Sequence, residues 1–214
     1  MPKDLTLAVV DDSPALEGVG ASRAGFLKAA VVAGGTFVTG GVLIGGLPKL
    51  SAGAASAAQD AKILNFALTL EFLEAEFYTQ AEANGRLGAT LGEFASVVGA
   101  HERAHVEFLQ GALGGAAVSK PTFDFGETVK NEKAFAQTAQ ALEDTGVAAY
   151  NGQAPNLTKE TLGAAASIVA VEALHAGWIR DINRPTLPAP AALDEAKSMK
   201  QILAAVKETG FIKS

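Results

Sequence analysis

Glu102-x-x-His105 and Glu172-x-x-His175 repeat one motif at a distance of 70 residues. A second pattern repeats beside it: Glu71 with Tyr78 seven positions on, then Glu143 with Tyr150, each 72 residues later. This polar skeleton constrains the fold more than any other feature of the chain. On an α-helix, positions i and i+3 share one face about 4.5 Å apart along the axis, so the Glu and His of each motif can meet at one point. Positions i and i+7 lie two turns apart on the same face, which sets each tyrosine in the seam of its glutamate. The chain therefore reads as a duplicated helical hairpin that turns its polar residues inward.

The rest of the sequence supplies the helices. Residues 60–83 are rich in Leu, Ala, Phe and Glu and stop at Asn84-Gly85, a helix C-terminal signal. A second helix is expected over 89–113, ending at Gly114-Gly115. The segment KPTFDFGETVKN, residues 120–131, breaks the pattern and is too long for a tight hairpin. A third helix is expected over 128–150, ending at Asn151-Gly152, and a fourth from an N-cap at Thr158 to Asn183-Arg184-Pro185. No stretch alternates with period two. The expected class is all-α: a four-helix bundle with a long crossover between helices two and three. A Pro-rich linker, RPTLPAP, then leads to a short amphipathic helix carrying Leu193, Met199, Ile202, Leu203 and Val206, expected to pack on the bundle surface.

The beginning of the chain follows different rules. Between Ala24 and Gln59 the only charges are Lys28 and Lys49, and the uncharged run 29–48 is about long enough to span a bilayer, though six glycines make it a poor helix former. Ser22-Arg23-Ala24-Gly25-Phe26-Leu27-Lys28 resembles the twin-arginine export motif with Ala24 in place of the second Arg, and Ala52-Gly53-Ala54 and Ala55-Ser56-Ala57 are of the small-x-small type that signal peptidases cut. The reading is an export-signal-like or membrane-anchoring leader over 1–58, a bundle over 59–184 and a linker with a C-terminal helix over 185–214. It implies an exported or envelope-associated protein.

Six groups, Glu71, Glu102, His105, Glu143, Glu172 and His175, would converge from four helices. The chain has no cysteine and only three histidines, so any metal site must use His and carboxylates. Four carboxylates and two neutral imidazoles balance two divalent cations, and this is the donor set of carboxylate-bridged di-iron and di-manganese bundles. Glu74, one turn from Glu71, is the rival for the first-helix position, and Glu71 is preferred because it alone has the tyrosine partner. A formal net charge of −6 without a basic cluster argues against nucleic acid as a partner.

The stretch HERAH, residues 101–105, also spells the helical zinc motif of metalloproteases. A zincin needs a third protein ligand and a cleft for an extended peptide. Phe108 stands where the extended form of that motif has Gly, and Glu127 is a candidate third ligand on spacing alone. That alternative leaves Glu172-x-x-His175, both Glu-Tyr pairs and the repeat unused. In the bundle reading His101 is a spectator or an outer partner, with a partly exposed helix position preferred.

NFALTLEFLEAEFY, HERAHVEFL, PTFDFG and VEALHAGW, spread over residues 60–182, resemble the ferritin-like superfamily, and within it the bacterial and plant group that includes desiccation-related proteins. The resemblance implies two metal ions, iron first and manganese second, held by the six residues above, with one carboxylate of each Glu-His pair as a bridge. It implies redox chemistry with O2 or peroxide in stress protection, with Tyr78 and Tyr150 able to supply an electron, in a homo-oligomer or larger assembly. The alternative it leaves is a metal-binding envelope or stress protein without turnover.

Overall fold

The computed structural model describes residues 55–185 and 187–213, so the leader expected over 1–58 lies almost wholly outside the described residues. Helix α1 spans Ala57–Asn84, α2 Ala89–Leu113, α3 Glu132–Gln153, α4 Lys159–Ile182 and the short α5 Met199–Thr209. There is no strand among the described residues; Phe123 and Ile212 form a lone antiparallel bridge. Helices α1 and α2 pack along each other, as do α3 and α4, and the two hairpins meet with α1 against α3 and α2 against α4. The expected bundle with a long crossover is the fold observed.

The helix ends follow local chemistry. Ser56 starts α1 by accepting a 3.2 Å hydrogen bond from the Gln59 N–H, and Gly85 ends it in the left-handed conformation that glycine adopts without steric cost. Helix α3 begins at Glu132 rather than near 128, because residues Gly126–Val129 take a 3-10 turn and Asn131 supplies the cap, accepting from the Ala134 N–H at 3.0 Å. Thr158 occupies the N-cap position of α4 as expected, but its side chain caps nothing. Instead Asp60, from the start of α1, accepts the Thr158 N–H at 3.0 Å and the hydroxyls of Thr158 and Thr161. Burial would raise the Asp60 carboxyl, and these three bonds hold it below its ordinary value.

Helix α4 is the one described helix long and apolar enough to cross a membrane, yet it carries Glu172 and His175 into the bundle interior. Two apolar clusters fill that interior. One gathers Phe77, Tyr78, Phe94, Phe135 and Ile179, the other Leu68, Phe72, Leu109, Tyr150 and Ile168. The carboxylates lie between them. Burying a side chain of this size contributes about 1.5–3 kcal/mol, which is how the clusters can offset the cost of the polar layer.

The tail is built in at three points. Ile202 and Val206 of α5 are buried in the first cluster, whereas Leu193 lies outside the helix and, like Leu203, is exposed, so the amphipathic helix is shorter than its apolar residues suggest. The chain end then pairs with the crossover: Asp124 N–H donates to Phe211 O at 2.9 Å and Lys213 N–H to Thr122 O at 3.0 Å. Upstream of α5, Lys197 N–H donates to Ala148 O at 3.0 Å, and its carbonyl lies so close to Gly152 that a Cβ there would collide with backbone.

Gly152→Ala should therefore cost about 1–3 kcal/mol or undock α5, because backbone cannot yield as a side chain can. Gly163, an exposed position in α4 with open space where a Cβ would stand, should gain roughly 0.5–1 kcal/mol on substitution by Ala. Urea unfolding of both variants checks the pair; equal midpoints would contradict the tail contact.

Candidate metal centre

The interior polar layer contains Glu71, Glu74, Glu102, Glu143, Glu172 and His175, none more than 3% exposed, with His105 at its edge. Each reaches it by helical spacing alone. Glu102 and His105 sit one turn apart on α2, Glu172 and His175 one turn apart on α4, and Glu71 and Glu143 face them from α1 and α3. Two groups of ligand atoms, each within 4.8 Å of one another, result: Glu71, Glu102, His105 and Glu172, and then Glu102, Glu143, Glu172 and His175. Glu102 and Glu172 belong to both. The structure thus brings all six of the expected residues together and leaves Glu74, the rival of Glu71, outside both groups.

The atoms in these groups fit cations better than they fit one another. His105 Nδ1 lies 3.2 Å from Glu71 Oε2, 3.2 Å from Glu102 Oε2 and 3.1 Å from Glu172 Oε1. A single ring N–H cannot serve three carboxylate oxygens. His175 Nδ1 lies 3.0 Å from Glu102 Oε1 and 3.3 Å from Glu143 Oε2 without hydrogen-bond alignment. Both oxygens of Glu172, Glu102 Oε1, Glu143 Oε2 and His175 Nδ1 are buried without a hydrogen-bond partner. Buried orphaned donors of this kind are costly unless an ion takes them up. Carboxylate oxygen with imidazole nitrogen suits iron, manganese or zinc.

The tyrosines do not serve the glutamates of their own helices, as the seam argument suggested. Tyr78 of α1 donates its O–H to Glu143 Oε1 of α3, and Tyr150 of α3 donates to Glu71 Oε1 of α1 at 2.5 Å. The crossing arises because α1 and α3 run antiparallel, so two turns along one helix is the level of the glutamate on the other. Burial and the neighbouring carboxylates push both phenols well above the usual tyrosine value, so they remain neutral donors.

Two residues whose roles the sequence left open, His101 and Glu74, also border the site. Although exposed to solvent along one side of α2, His101 places Nδ1 2.9 Å from His175 Nε2, and the two rings stack. The exposed helix position preferred from sequence is observed, and His101 is in addition an outer partner of His175, the other role left open; burial together with the charges of His175 and His105 lowers its pKa. Glu74 is buried, and Oε2 has no partner. Its place is explained by the repeat: 72 residues on stands Gly146, and a Cβ there would lie 2.9 Å from Glu172 Oε2 and 3.4 Å from Glu74 Oε1. The glycine leaves the room that the extra carboxyl takes.

Protonation follows from crowding. Burial, reinforced by the charge of neighbouring carboxylates, holds Glu74, Glu102 and Glu172 well above the ordinary carboxyl value of 4.5. Burial also opposes charge on His105, but the carboxylates of Glu102, Glu172 and Glu71 outweigh it and push the imidazole up to about 12. Burial would raise Glu71 as well, yet hydrogen bonds headed by that to His105 bring it below its usual range. In the metal-free protein the fold therefore binds more protons than the unfolded chain, the raised carboxyls doing so above pH 4.5 and His105 between 6.5 and about 12. Stability must fall as pH rises through that window. Chelator-treated protein should lose Tm steadily from about pH 6 to about pH 9, whereas excess Mn(II) should flatten or reverse the slope because metal displaces those protons. A metal-free Tm that climbs with pH would contradict this assignment of protons.

Comparison with known proteins agrees with the geometry. No curated protein matches the chain. A family described as the ferritin-like domain matches residues 59–184, which takes in all four long helices and every residue of the buried layer. The four-helix bundle, with its interior Glu and His cluster, belongs to the ferritin-like domain family.

Proposed function

We propose that this protein holds two iron or manganese ions between its four helices and uses them in redox chemistry with O2 or peroxide, as a stress-protective function. One observation carries the proposal: Glu102 and Glu172 are each common to both four-ligand groups, the position of two bridging carboxylates. Bound there, the metal pair would supply redox equivalents at two adjacent centres. The chain's own residues do the rest. His105 and His175 fix one end of each group, Glu71 and Glu143 close the other, and the Tyr78 and Tyr150 hydroxyls hold a proton at Glu143 Oε1 and Glu71 Oε1. Each phenol is one hydrogen bond from a ligand, a placement suited to passing an electron with its proton.

Export is part of the same reading. Residues 22–28, the apolar run 29–48 and the small-x-small sites that follow support a protein carried to the envelope or beyond it, where a peroxide-handling centre would meet oxidants first.

Elemental analysis of protein reconstituted with Fe(II) or Mn(II), with an anomalous diffraction map, should find about two ions per chain at the two groups. Oxygen or peroxide consumption with Fe(II) should exceed that of a Glu102→Ala, Glu172→Ala double variant by at least about a hundredfold. Failure to bind metal sinks the reading; two bound ions with no excess turnover would replace it with a non-catalytic metal-binding envelope protein. For location, fractionation of cells expressing the full chain should recover it outside the cytoplasm, and a cytoplasmic pool that persists after replacing Arg23 and Lys28 with Ala at an unchanged level would remove the export argument.

A further inference from the structure

A cavity of about 460 Å³ opens between α1, α3 and α5. Its rim is formed by exposed residues, among them Gln137 and Ala141 of α3 and Ala205 of α5. The walls deepen through Leu73, Leu142 and Val206, all buried. At the inner end stand Glu74, 2% exposed and with Oε2 unpartnered, and Gly146, against whose backbone the Glu172 carboxyl packs. Gln137, Thr138, Thr145 and Thr209 also line it, but Glu74 is the one lining residue with a buried side-chain atom left unpartnered, and a mostly apolar enclosure of this size with few polar groups is the usual form of a small-molecule site. The related position of the other hairpin, Gly146, has no carboxyl, so Glu74 is a place where the duplication departs from symmetry in favour of a buried polar group.

We infer that this cavity binds a small, mostly apolar organic molecule bearing a hydroxyl group, with Glu74 as the residue that anchors the hydroxyl. The chemistry of the walls selects the class. Leucine and valine accept an aromatic or alkyl body, and the one polar atom left without a bond at the floor accepts or donates a single hydrogen bond. Anions are excluded by the carboxylates of Glu172 and Glu143 behind Glu74. A molecule so held touches Gly146, on which Glu172, a member of both ligand groups, packs, so the cavity would bring an organic reductant up to the wall of the centre; that role, unlike the binding itself, rests on the proposed function.

Binding of 2-naphthol to the full chain, followed by its fluorescence, tests the site, with naphthalene as the probe that lacks the hydroxyl. Saturable binding of one 2-naphthol per chain is expected, about five- to tenfold tighter than naphthalene, the yield of one hydrogen bond. Ala205→Trp, a rim substitution at an exposed position of α5, should weaken both probes more than about tenfold by filling the mouth, with an unchanged circular dichroism spectrum and unchanged metal content. Glu74→Leu should erase the preference for 2-naphthol while keeping naphthalene. Absence of saturable binding, indifference to Ala205→Trp, or a preference that survives Glu74→Leu would each overturn the inference. Measured on both chelator-treated and Mn(II)-loaded protein, the result separates the two readings: binding without metal uptake leaves the cavity standing and removes the metal centre, and metal uptake without binding does the reverse.

Discussion

Five glutamates sit together in an interior made mostly of aliphatic and aromatic side chains, and the rest of the bundle is arranged around that burden. An isolated buried carboxylate is unstable enough to take up a proton instead of keeping its charge. Here the layer is stabilised partly by His105, surrounded by three carboxylates, and partly by two phenols that each donate to one glutamate. The remainder is left without hydrogen-bond partners, concentrated on Glu102, Glu143, Glu172 and His175. A fold selected for stability alone would place apolar residues at these positions. The two overlapping ligand groups in the layer are of a kind that could hold metal ions.

The apolar clusters and the tail serve that layer. One cluster contains Tyr78 and the other Tyr150, so each hydroxyl enters the polar layer from a packed ring that has little freedom to turn. Tyr78 is held by edge contacts with Phe77, Phe94 and Phe135 at 5.3–6.0 Å between ring centres. The C-terminal residues close the cluster around Phe125 and tie the crossover to α5, which gives the segment PTFDFG a structural purpose: its backbone pairs with the chain end, and its second phenylalanine fills the core.

The architecture and the six converging residues were legible because helical spacing is rigid. Two repeated intervals specify which side chains share a face, and Gly or Asn marks most of the helix ends. What sequence could not supply depended on relations between helices. The crossing of Tyr78 to Glu143 requires knowing that α1 and α3 run antiparallel. The capping of α4 by Asp60 joins residues 98 positions apart and displaces the local candidate, Thr158. His101 was undervalued because exposure on one side of a helix does not preclude contact on the other. Glu74 looked like a competitor for one position, when the informative signal was its counterpart: Gly146 lies at the same 72-residue interval that links Glu71 to Glu143, and a glycine opposite a carboxyl marks space set aside for it.

The crossed tyrosine bonds have a consequence for how the two hairpins relate. Tyr78 of the first reaches Glu143 of the second, and Tyr150 of the second reaches Glu71 of the first, so every contact of this kind occurs twice with the roles exchanged. That is the signature of an isologous interface, the self-complementary surface by which two identical subunits join about a two-fold axis. Within one chain the axis is only approximate, and covalent continuity frees the halves from having to stay alike. In a true homodimer any change appears on both sides of the axis at once. Here a carboxyl could be placed on one side, at Glu74, and a histidine at His101, while Gly146 and Val171 hold the matching positions, and a symmetric polar layer thereby acquires a front and a back.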